Sequence, residues 1–117
     1  DESLSSTQRT VELFWADLRQ HKEHLAEPWT VAMMAGQCGL GVTQFIHLTK
    51  KLTNMTPVQY LTQGRLEMAG KILKELPGRS VLDVALDCGF SSSQYFANLF
   101  HRQFGCTPRD YRRNSGI

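Results

Sequence analysis

One pattern occurs twice in this chain, about fifty residues apart, and it constrains the fold more than any other feature. The first copy reads Met34-Ala35-Gly36-Gln37-Cys38-Gly39-Leu40, and the second reads Val84-Ala85-Leu86-Asp87-Cys88-Gly89-Phe90. Each copy is followed by a second apolar seam and closes on a Thr-Pro pair, at Thr56-Pro57 and at Thr107-Pro108. A short helix, a turn marked by glycine and a second helix make a helix-turn-helix. The repeat therefore predicts two such motifs in tandem, a layout suited to reading a long surface such as duplex DNA.

Size and composition limit the class of protein. A length of 117 residues fits one domain, or two very small ones that lean on a shared element. The three cysteines form no Cys-x-x-Cys pair, so neither a zinc signature nor a disulfide framework is predicted. No apolar run approaches the roughly 20 residues of a membrane span, and no secretion signal is evident. We therefore expect a cytoplasmic protein without a membrane partner, and the start at Asp1 rather than Met predicts a piece of a longer protein.

Charge is distributed unevenly along the chain. Residues 1–28 carry six acidic and three basic side chains, a net charge of −3. Residues 29–117 carry ten basic and five acidic side chains, a net charge of +5. A basic body is an electrostatic footprint for a polyanion, but many soluble domains with this charge bind no nucleic acid. Charge therefore supports a nucleic-acid partner in combination with the repeat and not by itself.

Helix start and stop signals divide the chain, and no segment shows strand alternation. Apolar residues at helical spacing predict a first helix at about 6–26, stopped by Pro28. Further helices are predicted between N-cap residues and Gly, Asn or Pro stops, at about 31–38, 42–53, 57–76, 80–88, 92–103 and from 108 onward. We therefore predict an all-α fold of about seven helices in three segments. These are an N-terminal helix with the first helix-turn-helix at 1–56, a long connecting helix at 57–76 and the second helix-turn-helix at 77–117.

Three further stretches carry a family resemblance. They are Asp83-Val84-Ala85-Leu86-Asp87-Cys88-Gly89-Phe90-Ser91, Tyr95-Phe96-Ala97-Asn98-Leu99-Phe100 and Phe104-Gly105-Cys106-Thr107-Pro108-Arg109-Asp110-Tyr111-Arg112. With Arg65-Leu66-Glu67-Met68-Ala69 in the connecting helix, they resemble the DNA-binding domain of AraC/XylS-type transcriptional regulators over about residues 10–113. The resemblance implies a bacterial transcription regulator, most often an activator, that contacts RNA polymerase. It also implies an N-terminal effector or dimerisation domain that is absent from this sequence.

The first copy departs from the family pattern at three positions. Gly41 stands where a Ser cap is usual, Thr49 where Phe is usual, and Asn54 where Gly is usual. These departures predict a looser first lobe with an unchanged contact face.

The predicted connecting helix has a length that matches duplex geometry. About 20 residues at about 1.5 Å per residue span roughly 30 Å, and successive major-groove openings on one face of B-DNA lie about 34–36 Å apart. We therefore expect the two second helices, called here the recognition helices, to enter adjacent major grooves. A stiff pair fits a straight duplex imperfectly, so some bending of the DNA is expected.

Each recognition helix has an outward face on which we place the base contacts. Because Phe45 and Leu48 face inward in the first, and Phe96 and Phe100 in the second, the outward positions follow from helical spacing. The predicted base contacts are Val42, Thr43, Ile46, His47, Ser93, Gln94 and Asn98. Asn and Gln can each grip adenine through a pair of hydrogen bonds, and apolar side chains can contact thymine methyl groups. Packing against the preceding helices remains an alternative for Val42 and Ile46.

A second set of residues is predicted to hold phosphates, which positions a protein without specifying sequence. This set is Lys50, Lys51, Ser92, Tyr95, His101, Arg102 and Arg109. For each charged member a solvated surface position is an equally good interpretation. Arg112 and Arg113 are expected to trail in solvent, and Arg65 to make contacts within the protein.

The sequence does not predict an enzyme, a cofactor or a metal site. No nucleophile, base and orienting group can be assembled from it. His21 and His24 are three residues apart, but no third metal ligand is evident. The alternative to DNA binding is a helical module that docks on a protein partner and has lost its affinity for DNA.

Overall fold

Eight α-helices make up the regular structure of residues 2–114, the range that this computed structural model describes, with side chains described from Ser6 onward. No strand occurs within this range, so the predicted all-α fold is confirmed. The helices are α1 (Glu2–Gln20), α2 (Lys22–Leu25), α3 (Val31–Gln37), α4 (Val42–Thr53), α5 (Pro57–Glu75), α6 (Val81–Asp87), α7 (Ser93–Phe104) and α8 (Pro108–Asn114). Within the described residues no helix is long and apolar enough to cross a membrane.

The first predicted helix, at 6–26, is divided in the structure. α1 ends at Gln20, and His21 adopts an extended conformation with φ −122° and ψ 100° before α2 begins at Lys22. No Gly or Pro stands at this point, so the sequence carries no stop signal there. The division explains why the described residues contain one helix more than the seven predicted.

The chain forms two compact units, and the boundary lies within α5. Unit 1 ends at Thr62 and unit 2 begins at Gln63. The predicted division at 1–56, 57–76 and 77–117 treats the connecting helix as a segment of its own and stays a prediction.

Unit 1 is built on an aromatic cluster centred on Trp15. The Trp15 ring stacks on Phe45 at 5.9 Å and meets Tyr60 edge to face at 4.9 Å. The indole Nε1–H of Trp15 donates to Oγ1 of Thr49 at 3.2 Å, and Thr49 is fully buried. A buried hydroxyl that has a hydrogen-bond partner costs little folding free energy, whereas one without a partner destabilises the fold. Thr49 stands where the family pattern has Phe, and its buried hydroxyl has a hydrogen-bond partner in the Trp15 indole.

Unit 2 has a second aromatic cluster along α7. Phe96 and Phe100 are fully buried, and the rings of Phe100 and Phe104 stack at 4.2 Å. Gly70 of α5 lies against this stack, because a Cβ at that position would meet the Phe104 ring at 3.3 Å. The absence of a side chain at Gly70 thus lets α5 approach the cluster.

Candidate nucleic-acid interface

The turn of each helix-turn-helix is built by the same hydrogen bonds. In the first motif the backbone N–H of Leu40 donates to the carbonyl of Ala35 at 3.0 Å, and Gly39 has φ 68°. In the second motif Phe90 donates to Ala85 at 3.0 Å, and Gly89 has φ 91°. A left-handed residue after the helix lets the next N–H satisfy an orphan carbonyl. The sequence repeat is therefore a structural repeat, and it fixes where α4 and α7 begin.

The starts of the two recognition helices differ. In α7 the Oγ of Ser92 accepts from the backbone N–H of Tyr95 at 3.2 Å. In α4 the cap residue is Gly41, which has no side chain to accept such a bond. Ser92 is thus a capping residue whose hydroxyl proton stays available to a phosphate oxygen, while the first turn of α4 leaves backbone N–H groups for solvent or a ligand.

The predicted outward face of α4 is exposed. Phe45, Leu48 and Thr49 are buried, and Ile46 is half-buried. The remaining predicted contacts on this helix are all exposed: Val42, Thr43, His47, Lys50 and Lys51. Val42 keeps 42% of its surface, which is high for an apolar side chain at a helix start. Ile46 is thus partly packed and partly accessible, which is compatible with both of the roles considered for it.

The outward face of α7 presents a linked pair of amides. Ser93, Gln94 and Asn98 are exposed, and Nε2 of Gln94 donates to Oδ1 of Asn98 at 3.0 Å. This bond leaves Oε1 of Gln94 as an acceptor and the amide hydrogens of Asn98 as donors. A donor and an acceptor side by side are the groups that an adenine edge requires.

The predicted phosphate contacts of unit 2 are also exposed. They are Ser92, Tyr95, His101, Arg102 and Arg109, and Tyr95 keeps 58% of its surface. Tyr95 therefore lies on the surface rather than at the edge of the core. Its counterpart in α4, fifty-one residues earlier, is Gln44, which is exposed as well. The sequence prediction did not include Gln44, which the offset between the two copies identifies as a further candidate contact.

Arg112 does not trail in solvent, and that expectation was wrong. Its Nε donates to the carbonyl of Leu73 at 2.9 Å and its Nη2 to the carbonyl of Leu76 at 3.3 Å. The last carbonyls of a helix have no intrahelical partner, so a guanidinium at this point satisfies the C-terminal end of α5. Arg113 pairs with Asp110 within α8.

Two titratable groups, one in the first motif and one in α5, have structural roles. Burial raises the pKa of the Cys38 thiol to about 11, so this cysteine packs as a small neutral group at the end of α3. Burial also lowers the pKa of Arg65. Arg65 is half-buried in α5, which agrees with contacts inside the protein.

The repeated motifs define the chain as a tandem helix-turn-helix protein, and comparison with known proteins places it in a family. The family model described as a helix-turn-helix domain matches residues 34–114, and the chain belongs to this family. The chain is 35% identical over 112 residues to the transcriptional activator RhaS of Shigella boydii, covering 96% of this chain and 39% of RhaS. It therefore spans well under half the length of that relative.

Solved structures agree with the family assignment. The chain is similar to the DNA-binding domain of AdpA, a global transcriptional factor solved with a target DNA, at 31% identity and a TM-score of 0.77. That match covers 86% of this chain and 90% of the AdpA domain. An AraC-type regulator from Chromobacterium violaceum has the same fold, with a TM-score of 0.81 at 24% identity over 95% of this chain and 96% of that one. The predicted resemblance to AraC/XylS-type domains is confirmed.

Proposed function

We propose that this chain binds duplex DNA sequence-specifically, as the DNA-binding part of a bacterial AraC-type transcription regulator. The observation that carries the proposal is the same exposed face on both recognition helices, α4 and α7, each held from behind by buried aromatic rings. The DNA complex of the similar AdpA domain supports it. The protein would act in the cytoplasm, where its DNA lies.

Sequence would be read by the polar side chains of the two faces. In unit 2 the linked amides of Gln94 and Asn98 offer an acceptor and a donor to one adenine. In unit 1 the exposed Thr43 and His47 occupy the corresponding positions and would form hydrogen bonds with a base edge or a phosphate. The different chemistry of the two faces predicts two unlike half-elements in the DNA site.

Affinity for DNA would come largely from basic side chains near the exposed faces of α4 and α7. Lys50 and Lys51 lie in the last turn of α4, and His101 and Arg102 lie in the last turn of α7. Each phosphate that such a group neutralises releases condensed counterions, so binding should weaken steeply with salt. Both helices are proposed to enter adjacent major grooves. RNA polymerase and an effector, bound by a preceding domain, are the further partners that the family implies.

A titration of duplex DNA at several salt concentrations tests the proposal. A site selected from a random pool should bind tightly, and log K should fall linearly with log salt. Lys50→Ala should weaken all duplexes alike and lower the magnitude of the salt slope by about one. Lys71→Ala is the matched control, because Lys71 is an exposed lysine of α5 outside the proposed contacts. Absence of specific binding would favour a module that docks on another protein.

A further inference from the structure

A cluster of three possible metal ligands lies at the break between α1 and α2, in unit 1. Oδ1 of Asp17 lies 3.6 Å from Nδ1 of His21, and its Oδ2 lies 3.2 Å from Nδ1 of His24. One donor atom from each residue can be chosen so that all three lie within 4.8 Å of one another. We propose that these three side chains bind a divalent transition-metal ion.

The break in the helix produces this arrangement. Asp17 and His21 are four residues apart, so they lie on one face at the end of α1. His21 is extended, and α2 then brings His24 back toward the same carboxylate. The third ligand that the histidine pair lacked in the sequence is therefore Asp17, which comes from the turn before the break.

Small side-chain rotations would bring the donor atoms to the distances found around a tetrahedral ion. Bonds of about 2.0–2.2 Å at tetrahedral angles hold two donors roughly 3.3–3.5 Å apart. His21 Nδ1 lies 3.6 Å from Oδ1 of Asp17 and His24 Nδ1 lies 3.2 Å from Oδ2, so each pair is near this range, and one donor atom from each residue lies within 4.8 Å of the others. The three side chains keep 41–52% of their surface, so they can rotate to close on an ion that enters from solvent.

The His21 ring supplies a second observation. Its Nδ1 atom is inaccessible to solvent and has no hydrogen-bond partner among the described residues. A buried polar atom without a partner costs about 1–3 kcal/mol, and a bound ion can supply the partner that such an atom lacks. A metal bond at Nδ1 would satisfy this atom directly.

The ligand set selects the class of metal. Two imidazoles and one carboxylate favour Zn²⁺, Ni²⁺ or Co²⁺, whereas Mg²⁺ and Ca²⁺ prefer sites built from oxygen. Asp17 and His24 also line an open cavity of about 230 Å³, through which water can reach these two ligands. The ion would tie α1 to α2 and stabilise unit 1.

Tryptophan fluorescence and calorimetry can test the site on the whole chain. Trp29 donates its indole N–H to the carbonyl of His24 at 2.7 Å, so its emission should report on binding. ZnCl₂ should bind with a stoichiometry of one and raise the melting temperature, and MgCl₂ should do neither. Loss of a partner outside the ligand set commonly weakens metal binding about 10–100-fold, so Asp17→Asn, His21→Gln and His24→Gln should each weaken it at least about tenfold.

Two controls keep the outcome decisive. The double variant His47→Gln/His101→Gln removes the histidines of α4 and α7 and should keep full Zn²⁺ binding. In the unaltered chain, Zn²⁺ should shift the ring NMR signals of His21 and His24 and leave those of His47 and His101 in place, which holds even where a variant fails to fold. A thiolate band in the absorption spectrum of the Co²⁺-loaded chain would mean a cysteine ligand and would overturn the proposal. Unchanged Zn²⁺ binding in the three variants, or no stoichiometric Zn²⁺ binding, would overturn it as well.

Discussion

At the scale of single residues, Gln94 and Asn98, the proposed base contacts of α7, are joined by a hydrogen bond between their side-chain amides. Because the two amides are already bonded to each other, their rotamers are restricted before DNA arrives. Restricting a polar group in its binding geometry lowers the entropy that binding must remove. A base reader prepared in this way should contribute discrimination between bases more than general affinity.

Asn98→Ala tests that role. The variant should lose preference at one base position, at a cost of about 1–3 kcal/mol there, and bind other sequences nearly as before. Competition between the selected duplex and single-base variants measures this. Gln103→Ala is the matched control, since Gln103 is exposed on the same helix outside the proposed contacts. An equal loss on every duplex would place Asn98 among the phosphate contacts.

Thr49 carries a prediction about stability at the same scale. Thr49→Val keeps the shape of the side chain but leaves the buried indole N–H of Trp15 without its acceptor. The unpaired group should destabilise unit 1 by about 1–3 kcal/mol. Urea unfolding followed by tryptophan emission reports on unit 1, because Trp15 and Trp29 both lie within it. Thr10→Val, on the exposed side of α1, should change stability by less than about 0.5 kcal/mol, and equal stabilities would contradict the prediction.

At the scale of the elements, the sequence predicted the helices wherever a local signal marks an end. Gly39, Gly89 and Gly105 have positive φ, and Asn54 has φ 62° as the corresponding stop in the first copy. The break at His21 was missed because no residue there signals a stop. Contacts between residues distant in the chain were also missed, such as that of Arg112 with the end of α5. Local rules determine caps and turns, whereas these contacts depend on which helices come to lie together.

Helix α6 carries an ion pair that should respond to acid. Nε and Nη2 of Arg79 donate to the two carboxylate oxygens of Asp87 at 2.7 and 2.9 Å, linking the residue before the cap of α6 to its last residue. These hydrogen bonds hold the pKa of Asp87 below its ordinary value. A depressed folded pKa means stability that is present above the ordinary pKa and lost as pH falls through the folded pKa. The effect should be small, because the pair is exposed.

An NMR titration of the Asp87 carboxylate measures this directly. Arg79→Ala should raise the pKa of Asp87 toward its ordinary value and reduce the loss of unit 2 stability in acid. Lys74→Ala, which removes a cation of α5 instead, should leave the Asp87 titration where it was. An unchanged titration in Arg79→Ala would assign the shift to some other cause.

At the scale of the whole molecule, the sequence predicted which side chains of α4 and α7 face outward, and their role in DNA binding stays a prediction. Helical spacing alone identifies an outward face, so most of the predicted contacts of α4 and α7 are exposed, with Ile46 half-buried. The identity of the residue that packs behind a face depends on its partners. Thr49 illustrates this. From the sequence alone its departure from the family pattern predicts looser packing, whereas in the structure its hydroxyl accepts a hydrogen bond from the Trp15 indole. Thr49 is thus packed with a hydrogen-bond partner in the first motif, and both motifs are expected to contribute to DNA binding.

The spacing of the two half-elements in a selected site tests whether both motifs bind one duplex together. If α4 and α7 enter successive major grooves, their half-elements lie about 10–10.5 base pairs apart. Inserting about five base pairs between them would turn one half-element to the opposite side of the duplex. Binding should then fall to the affinity of a duplex in which one half-element is scrambled, because one motif no longer reaches its groove. Equal affinity with and without the insertion would mean that a single motif supplies the binding, and Asn98→Ala and His47→Ala on the two duplexes would identify which motif it is.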